Sequence, residues 1–157
     1  MGDNEMRSFV LIVVSLLFFT NCRNQIVENY IYKEAKTLLQ ENDTNSIIDF
    51  SSINNFSWDT MYYFSTGSSY DEILTTLPSW VPYEEFDCKL YFYEKHRLVY
   101  HESWPVYTNR INNISFISDS TRFKACRTKA KFKISITNNK TIFLYPLLNS
   151  NFPQKEK

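Results

Sequence analysis

General acid–base and nucleophilic catalysis both require a base within hydrogen-bond reach of the group it serves. The 157-residue chain has two histidines, His96 and His101. His96 falls at a predicted hairpin turn, where an imidazole meets solvent. His101 stands beside Glu102, and Cys88 on the neighbouring predicted strand gives a conceivable Cys–His pair, set against the plainer reading of Cys88 as a structural cysteine. The densest acidic cluster is Glu84, Glu85 and Asp87 in the segment PYEEFD. Glycoside hydrolysis uses two carboxyl groups roughly 5–10 Å apart, but adjacent loop acids are ordinarily just hydrated. Asp59 beside Trp58 is a carboxylate among aromatics, which implies a perturbed pKa or a partner; a cap or an Asp–Arg pair is the plainer account. Gly2 and Gly67 are the only glycines, too few for a Gly-rich phosphate cradle. No CxxC occurs and histidines are scarce, so neither a metal site nor a cofactor is expected. Enzyme status stays open with the balance against it, and a small exported hydrolase using Asp59 or Glu84–Asp87 is the alternative to a binding role.

Charge narrows the partners. Lys plus Arg is 17 and Asp plus Glu is 17, so the formal net charge is zero, and no nucleic-acid partner is expected. The basic run from Arg122 to Lys133 interleaves charges with Phe123 and Phe132. It reads either as a patch for anionic lipid or an acidic partner, or, more plainly, as the polar face of a hairpin with a lysine-guarded edge strand. Aromatic residues make up 17% of the chain, enough to build a core and to argue against wholesale disorder. Four N-x-[ST] sequons (Asn42, Asn55, Asn113, Asn139) match what frequent Asn, Ser and Thr give by chance.

The N-terminus reads as an address. Phe9 to Phe19 is an apolar run of 11 residues interrupted only by Ser15. A helical span needs roughly 20 residues, whereas this length suits the apolar stretch of a secretory signal. Phe19-Thr20-Asn21-Cys22 follows at once and resembles the lipobox of bacterial lipoproteins, in which the cysteine carries lipid and begins the mature chain. Phe19 and Asn21 depart from the usual Leu and small residue. The resemblance implies a signal peptide over 1–21, lipidation at Cys22 and a membrane anchor in the cell envelope. A conventional cleaved signal, an uncleaved anchor and a buried apolar helix of the domain core are the other readings. With Cys22 lipidated, Cys88 and Cys126 could pair in an oxidising compartment, against the alternative of two small buried apolar side chains.

Elements to position these groups follow from periodicity. Val27, Ile31, Ala35 and Leu38–Leu39 form a helical stripe within residues 25–40. The helix reads either as a spacer beside the anchor, within a 22–46 linker segment, or as packing on a sheet. Over 47–148 the pattern predicts an α+β domain: a short strand at 47–50, a strong one at 56–65, and a short helix opened by Ser69 with Glu72 three residues on. A hairpin over 88–103 turns at Lys95-His96, with Leu98 and Tyr100 on one face and Val99 and His101 on the other. Strands near 113–118, at 131–137 and at 141–147 follow, and 149–157 is a tail. The expected architecture is two helices packed on a mostly antiparallel sheet of about 5–6 strands.

The stretch Phe56-Ser57-Trp58-Asp59-Thr60-Met61-Tyr62-Tyr63-Phe64, with Ser69-Tyr70-Asp71-Glu72-Ile73, is similar to a group of small exported bacterial proteins that carry a Trp-Asp pair on a strand. The hairpin KLYFYEKHRLVYHES extends the similarity over roughly 47–147. The resemblance implies export and an α+β domain, and it brings no assigned activity. The functional expectation is therefore a non-enzymatic envelope lipoprotein acting as a small binding module. Its protein partner would meet exposed aromatics at Trp58, Trp80 and Trp104, with Asp59 on the same surface.

Overall fold

The computed structural model describes residues 25–41, 46–105, 113–137 and 141–147. The expected signal segment 1–21, Cys22, Asn42, Asn139 and the expected tail 149–157 lie outside the described residues.

Helix α1 (Ile26–Gln40) buries Val27, Ile31 and Ala35 along one stripe, as the periodicity predicts. It is built into the fold rather than standing off it. Strand β1 (Ile47–Asp49) leads into a short 3₁₀ turn that buries Phe50, then β2 (Thr60–Phe64) and helix α2 (Tyr70–Thr76). Strands β3 (Asp87–Glu94), β4 (Arg97–Pro105), β5 (Asn113–Phe116), β6 (Arg122–Cys126), β7 (Lys131–Ile136) and β8 (Thr141–Pro146) complete the chain.

The α+β class holds, but the strands divide into two four-stranded sheets instead of one sheet of five or six. The first has the order β1-β7-β8-β5 and the second β4-β3-β2-β6. All pairings are antiparallel except β5 with β8. The physical reason lies in alternation. Phe132, Ile134, Ile142, Leu144 and Phe116 give the first sheet one apolar face, while the second sheet is apolar on both faces. Two such layers pack face to face around aromatic side chains. Phe116 and Phe132 from the first sheet meet Tyr63 and Phe123 from the second, at centroid distances of 4.9 Å for Phe116–Tyr63 and 5.9 Å for Phe123–Phe132. The stripe of α1 joins this same core. On its outer face the second sheet carries Tyr62, Phe64, Tyr91 and Tyr93, covered by Ile73 of α2 and by Leu77 and Val81.

Local chemistry explains the element ends. Ser69 caps α2 by accepting from the Glu72 amide at 3.2 Å, while the Glu72 carboxylate turns to Arg122 at 3.3 Å. The β3–β4 turn places Lys95 and His96 at φ +48° and +67°, the left-handed pair that a two-residue type I′ hairpin demands. Pro146 is the last residue of β8, an inner strand, so the residue without an N–H stands at the strand's end rather than in its middle.

Three expectations need correction. The strand predicted from Phe56 begins only at Thr60, because Trp58 turns into the core from the preceding loop and is 2% exposed. The β4 face assignment fails at Val99: Phe92 pairs with Tyr100 and Tyr93 with Leu98, leaving Val99 as the extra residue of a β-bulge. Val99 and Tyr100 therefore both pack on the inner core while Leu98 serves the outer one. Finally, Cys88 and Cys126 are both free. They sit on β3 and β6, which flank β2 on opposite sides; Lys89, next to Cys88, pairs with Phe64 at one end of β2, whereas Cys126 pairs with Thr60 at the other. At a strand spacing of about 4.8 Å the lateral gap alone is roughly 10 Å, beyond the limit of about 7 Å between bridged Cα atoms.

Candidate functional site

The acidic segment before β3 folds over the outer face of the second sheet and is fixed there at several points. Val81 is fully buried among Tyr62, Phe64 and Tyr91. The Tyr91 hydroxyl donates to the Pro82 carbonyl at 2.7 Å, and the Ser103 hydroxyl donates to Glu84 Oε2 at 2.9 Å. Ser79 donates to the Tyr93 hydroxyl at 3.3 Å, and the Tyr83 ring leans on Tyr70 with centroids 5.0 Å apart. Between this segment and β4 lies a small cleft of about 10 Å³, room for about one water, lined by Pro82, Glu84, Lys89, Tyr91, His101, Glu102 and Ser103.

Lys89 forms the floor of the cleft and is the one fully buried cation among the described residues. Its ammonium donates to the Asp87 carbonyl at 2.6 Å and lies 4.7 Å from the centre of the Tyr83 ring. Burial lowers its pKa, and the charges of Asp87, Glu84 and Glu85 pull in the opposite direction. The imidazole of His101 stacks on the Tyr91 ring at 6.4 Å. Sequence reasoning missed Lys89 altogether. The available signal was slight: a lysine on the same face of β3 as Tyr91 and Tyr93, two residues after Asp87.

The same segment carries two prominent apolar side chains to solvent. Trp80 is 71% exposed and Phe86 is 65% exposed. Phe86 adopts φ +62°, a conformation that costs a bulky residue on the order of 1–3 kcal/mol. Glu84, Glu85 and Asp71 are exposed around them.

The other expected site residues are placed differently. Trp58 and Trp104 are buried, at 2% and 6% exposure, so neither contributes to an exposed aromatic surface. Trp58 lies edge-on to Phe92, with the Arg127 guanidinium 5.6 Å over its ring, and Trp104 stacks on Phe116. Both indole N–H groups are buried without an acceptor among the described residues. Of the expected surface, Trp80 remains, and Asp59 is exposed but at the hairpin turn. There Asp59 Oδ2 accepts from the Lys95 amide at 2.7 Å. That bond, helped by the Thr60 hydroxyl, holds the carboxyl below its ordinary pKa. It is a cap for the turn, the plainer of the two accounts.

The acids expected at 84–87 do not converge with Glu102: Glu84 accepts from Ser103 on the outer face, while the Glu102 carboxylate points inward to the start of α1, close to buried Glu28. Glu102 Oε2 accepts from the Val27 amide and Oε1 from the Glu28 amide, each at 3.0 Å, and the Tyr100 hydroxyl adds a third bond. Burial raises the pKa of Glu102 in spite of these donors. The Cys88 thiol lies 3.5 Å from the Tyr63 hydroxyl on the inner face, whereas His101 stacks on the outer face, so the conceivable Cys–His pair is not formed. No cluster of three or more His, Cys, Asp or Glu with metal-binding geometry occurs among the described residues, and no described helix is long and apolar enough to cross a membrane. Neither a family model, nor a curated protein, nor a solved structure matches the chain.

Proposed function

We propose that the protein is a small binding module of the bacterial cell envelope, tethered through a lipidated Cys22, that engages a protein partner with the segment from Pro78 to Phe86. The observation that carries the binding role is Trp80, exposed at 71% on a segment otherwise pinned by buried Val81 and by hydrogen bonds to Tyr91, Tyr93 and Ser103. A large aromatic held out by a rigid support loses little entropy on binding, the character of a hot-spot residue. Phe86 adds area at a backbone angle that a folding optimum would give to glycine. The acids around the two rings favour a partner whose apolar pocket is rimmed by Lys or Arg. The tether rests on the run from Phe9 to Phe19 with Cys22 directly after it.

Two experiments test the two halves separately. A photo-crosslinking amino acid at position 80, with one at exposed Lys36 as control, is expected to give one dominant adduct in cells at position 80 alone. Affinity for the identified partner should fall about thirtyfold or more in Trp80→Ala and weaken at high salt. Phe86→Gly should bind less well while melting higher. Equal adducts at both positions, or an affinity indifferent to Trp80→Ala, would refute the binding surface. Intact mass and membrane fractionation of the wild type and Cys22→Ser decide the tether. Diacylglyceryl mass on a chain beginning at residue 22, lost in the variant, is the expected result, and an unmodified soluble chain would refute it.

A further inference from the structure

The outer face of the first sheet is turned away from the second sheet, whose own outer face the Trp80 segment covers, and its side chains are exposed among the described residues. Its composition follows from register. Ile47 pairs with Lys133, Lys133 with Tyr145, and the bond from the Ile117 amide to the Leu144 carbonyl brings Ile117 alongside Tyr145. These four side chains form one row across the sheet. The adjacent row is Asp49, Lys131 and Leu147, the last joined by its amide to the Lys131 carbonyl. On the other side Ser135 pairs with Phe143, which pairs with Ser115.

Four of the seven strongly exposed large apolar residues of the described chain sit on this one face: Ile47, Ile117, Tyr145 and Leu147. Its single acid, Asp49, is engaged by Lys131 at 3.4 Å, which leaves Lys133 as uncompensated charge at the centre of the apolar row. A sheet face exposed to water is ordinarily polar. Lysine flanked by tyrosine and aliphatic side chains is instead the mixture that suits a bilayer interface, where apolar tips enter the headgroup boundary and ammonium groups meet lipid phosphates. A second copy of this chain fits less well, because a two-fold contact centred on this row would bring Lys133 of each copy together with no unpaired acid to receive them.

We propose that this face docks on the surface of an anionic lipid bilayer, leaving the Trp80 segment directed away from it. The docking does not depend on lipidation of Cys22, and the test removes that anchor so that the two can fail separately.

Full-length Cys22→Ser protein is floated with vesicles of phosphatidylcholine alone and of three parts phosphatidylcholine to one part phosphatidylglycerol. The apolar run at 9–19 contributes equally to both, so the ratio of the two partition coefficients reports the charged face. The wild-type sheet is expected to favour anionic vesicles by at least about fivefold, the contribution of one lysine near such a surface. Lys133→Glu should bring the ratio to one or below. Tyr145→Ser should lower binding to anionic vesicles severalfold without moving the melting temperature. Among the described residues Lys133 makes no ion pair, so its reversal leaves the Asp49–Lys131 contact intact. Equal partition into both vesicle types, a preference unchanged by Lys133→Glu, or a dimer by light scattering that Tyr145→Ser dissolves would each overturn the proposal.

Discussion

Replacing Glu102 with Gln tests how α1 is held. In the wild type both carboxylate oxygens are occupied: Oε1 by the Glu28 amide, Oε2 by the Val27 amide and the Tyr100 hydroxyl. A glutamine offers one acceptor oxygen and turns an NH₂ toward the second amide. At least one buried donor then loses its partner, at about 1–3 kcal/mol. Loss of the negative charge at the helix N-terminus adds about 0.3–1 kcal/mol. Relief of burying a charge close to Glu28 works against both, and the net loss near neutral pH is about 2 kcal/mol. At about 2–4 °C per kcal/mol for a chain of this size, the melting temperature should fall by roughly 4–8 °C. The pH dependence has a definite sign. Burial raises the pKa of Glu102 above its ordinary 4.5, so the folded state binds this proton more tightly than the unfolded state. Its stabilising effect is complete below that ordinary value and is lost as pH rises through the raised one. Acidification from neutrality toward pH 4.5 should therefore favour the wild type by this contribution and leave Glu102→Gln without it, so that the gap widens. Urea denaturation of both proteins across this interval measures the gap. A variant at least as stable as the wild type, with a parallel pH curve, would refute the assignment of Glu102 as the trans cap of α1.

Other expectations concern the turn, the core and the thiols. Asp59→Ala removes the acceptor of the Lys95 amide and should cost about 1 kcal/mol, whereas His96→Gly relieves a left-handed residue and should stabilise by a few tenths to about 1 kcal/mol; thermal melts separate the two signs. Phe116→Ala opens a hole among Tyr63, Trp104, Phe123 and Phe132 and should cost about 3–5 kcal/mol in chemical denaturation. On the folded protein, exposed Cys126 should react with a thiol reagent well before Cys88, and reductant should leave the melting temperature unchanged. A reductant-sensitive melt would contradict the separation of the two strands.

Much of the backbone was legible in local chemistry. The stripe Val27–Ile31–Ala35, the Ser69 cap, the Lys95-His96 turn and the alternation of Phe132, Ile134 and Ile136 each depend on neighbours a few positions away. The division into two sheets was not legible, because it depends on which strands share an edge, and β1 finds β7 across most of the chain. The bulge at Val99 was hidden for a related reason: an apolar Leu-Val-Tyr run fits either parity until its partner strand is known. In the candidate site, the acidic segment and Trp80 were visible, but burial was not. Trp58 and Trp104 looked no different from Trp80 in sequence, yet only Trp80 follows a helix end and lies between prolines that keep it off the sheet. Lys89 was missed because its type does not announce a buried ammonium, and only its place on the tyrosine-bearing face of β3 hinted at one.

The pairing scheme also fixes an order of assembly. Strands β2, β3 and β4 lie side by side, so their hairpin can form as soon as they exist. The N-terminal elements cannot settle so early. The amide of Val27 waits for an acceptor 75 positions downstream, and Ile47–Asp49 waits for Lys131–Lys133. Contacts of such separation form slowly. A chain that emerges N-terminus first thus releases α1 with the amides of Val27 and Glu28 unmet until β4 appears, and for that interval its apolar stripe is open to whatever apolar surface it meets first.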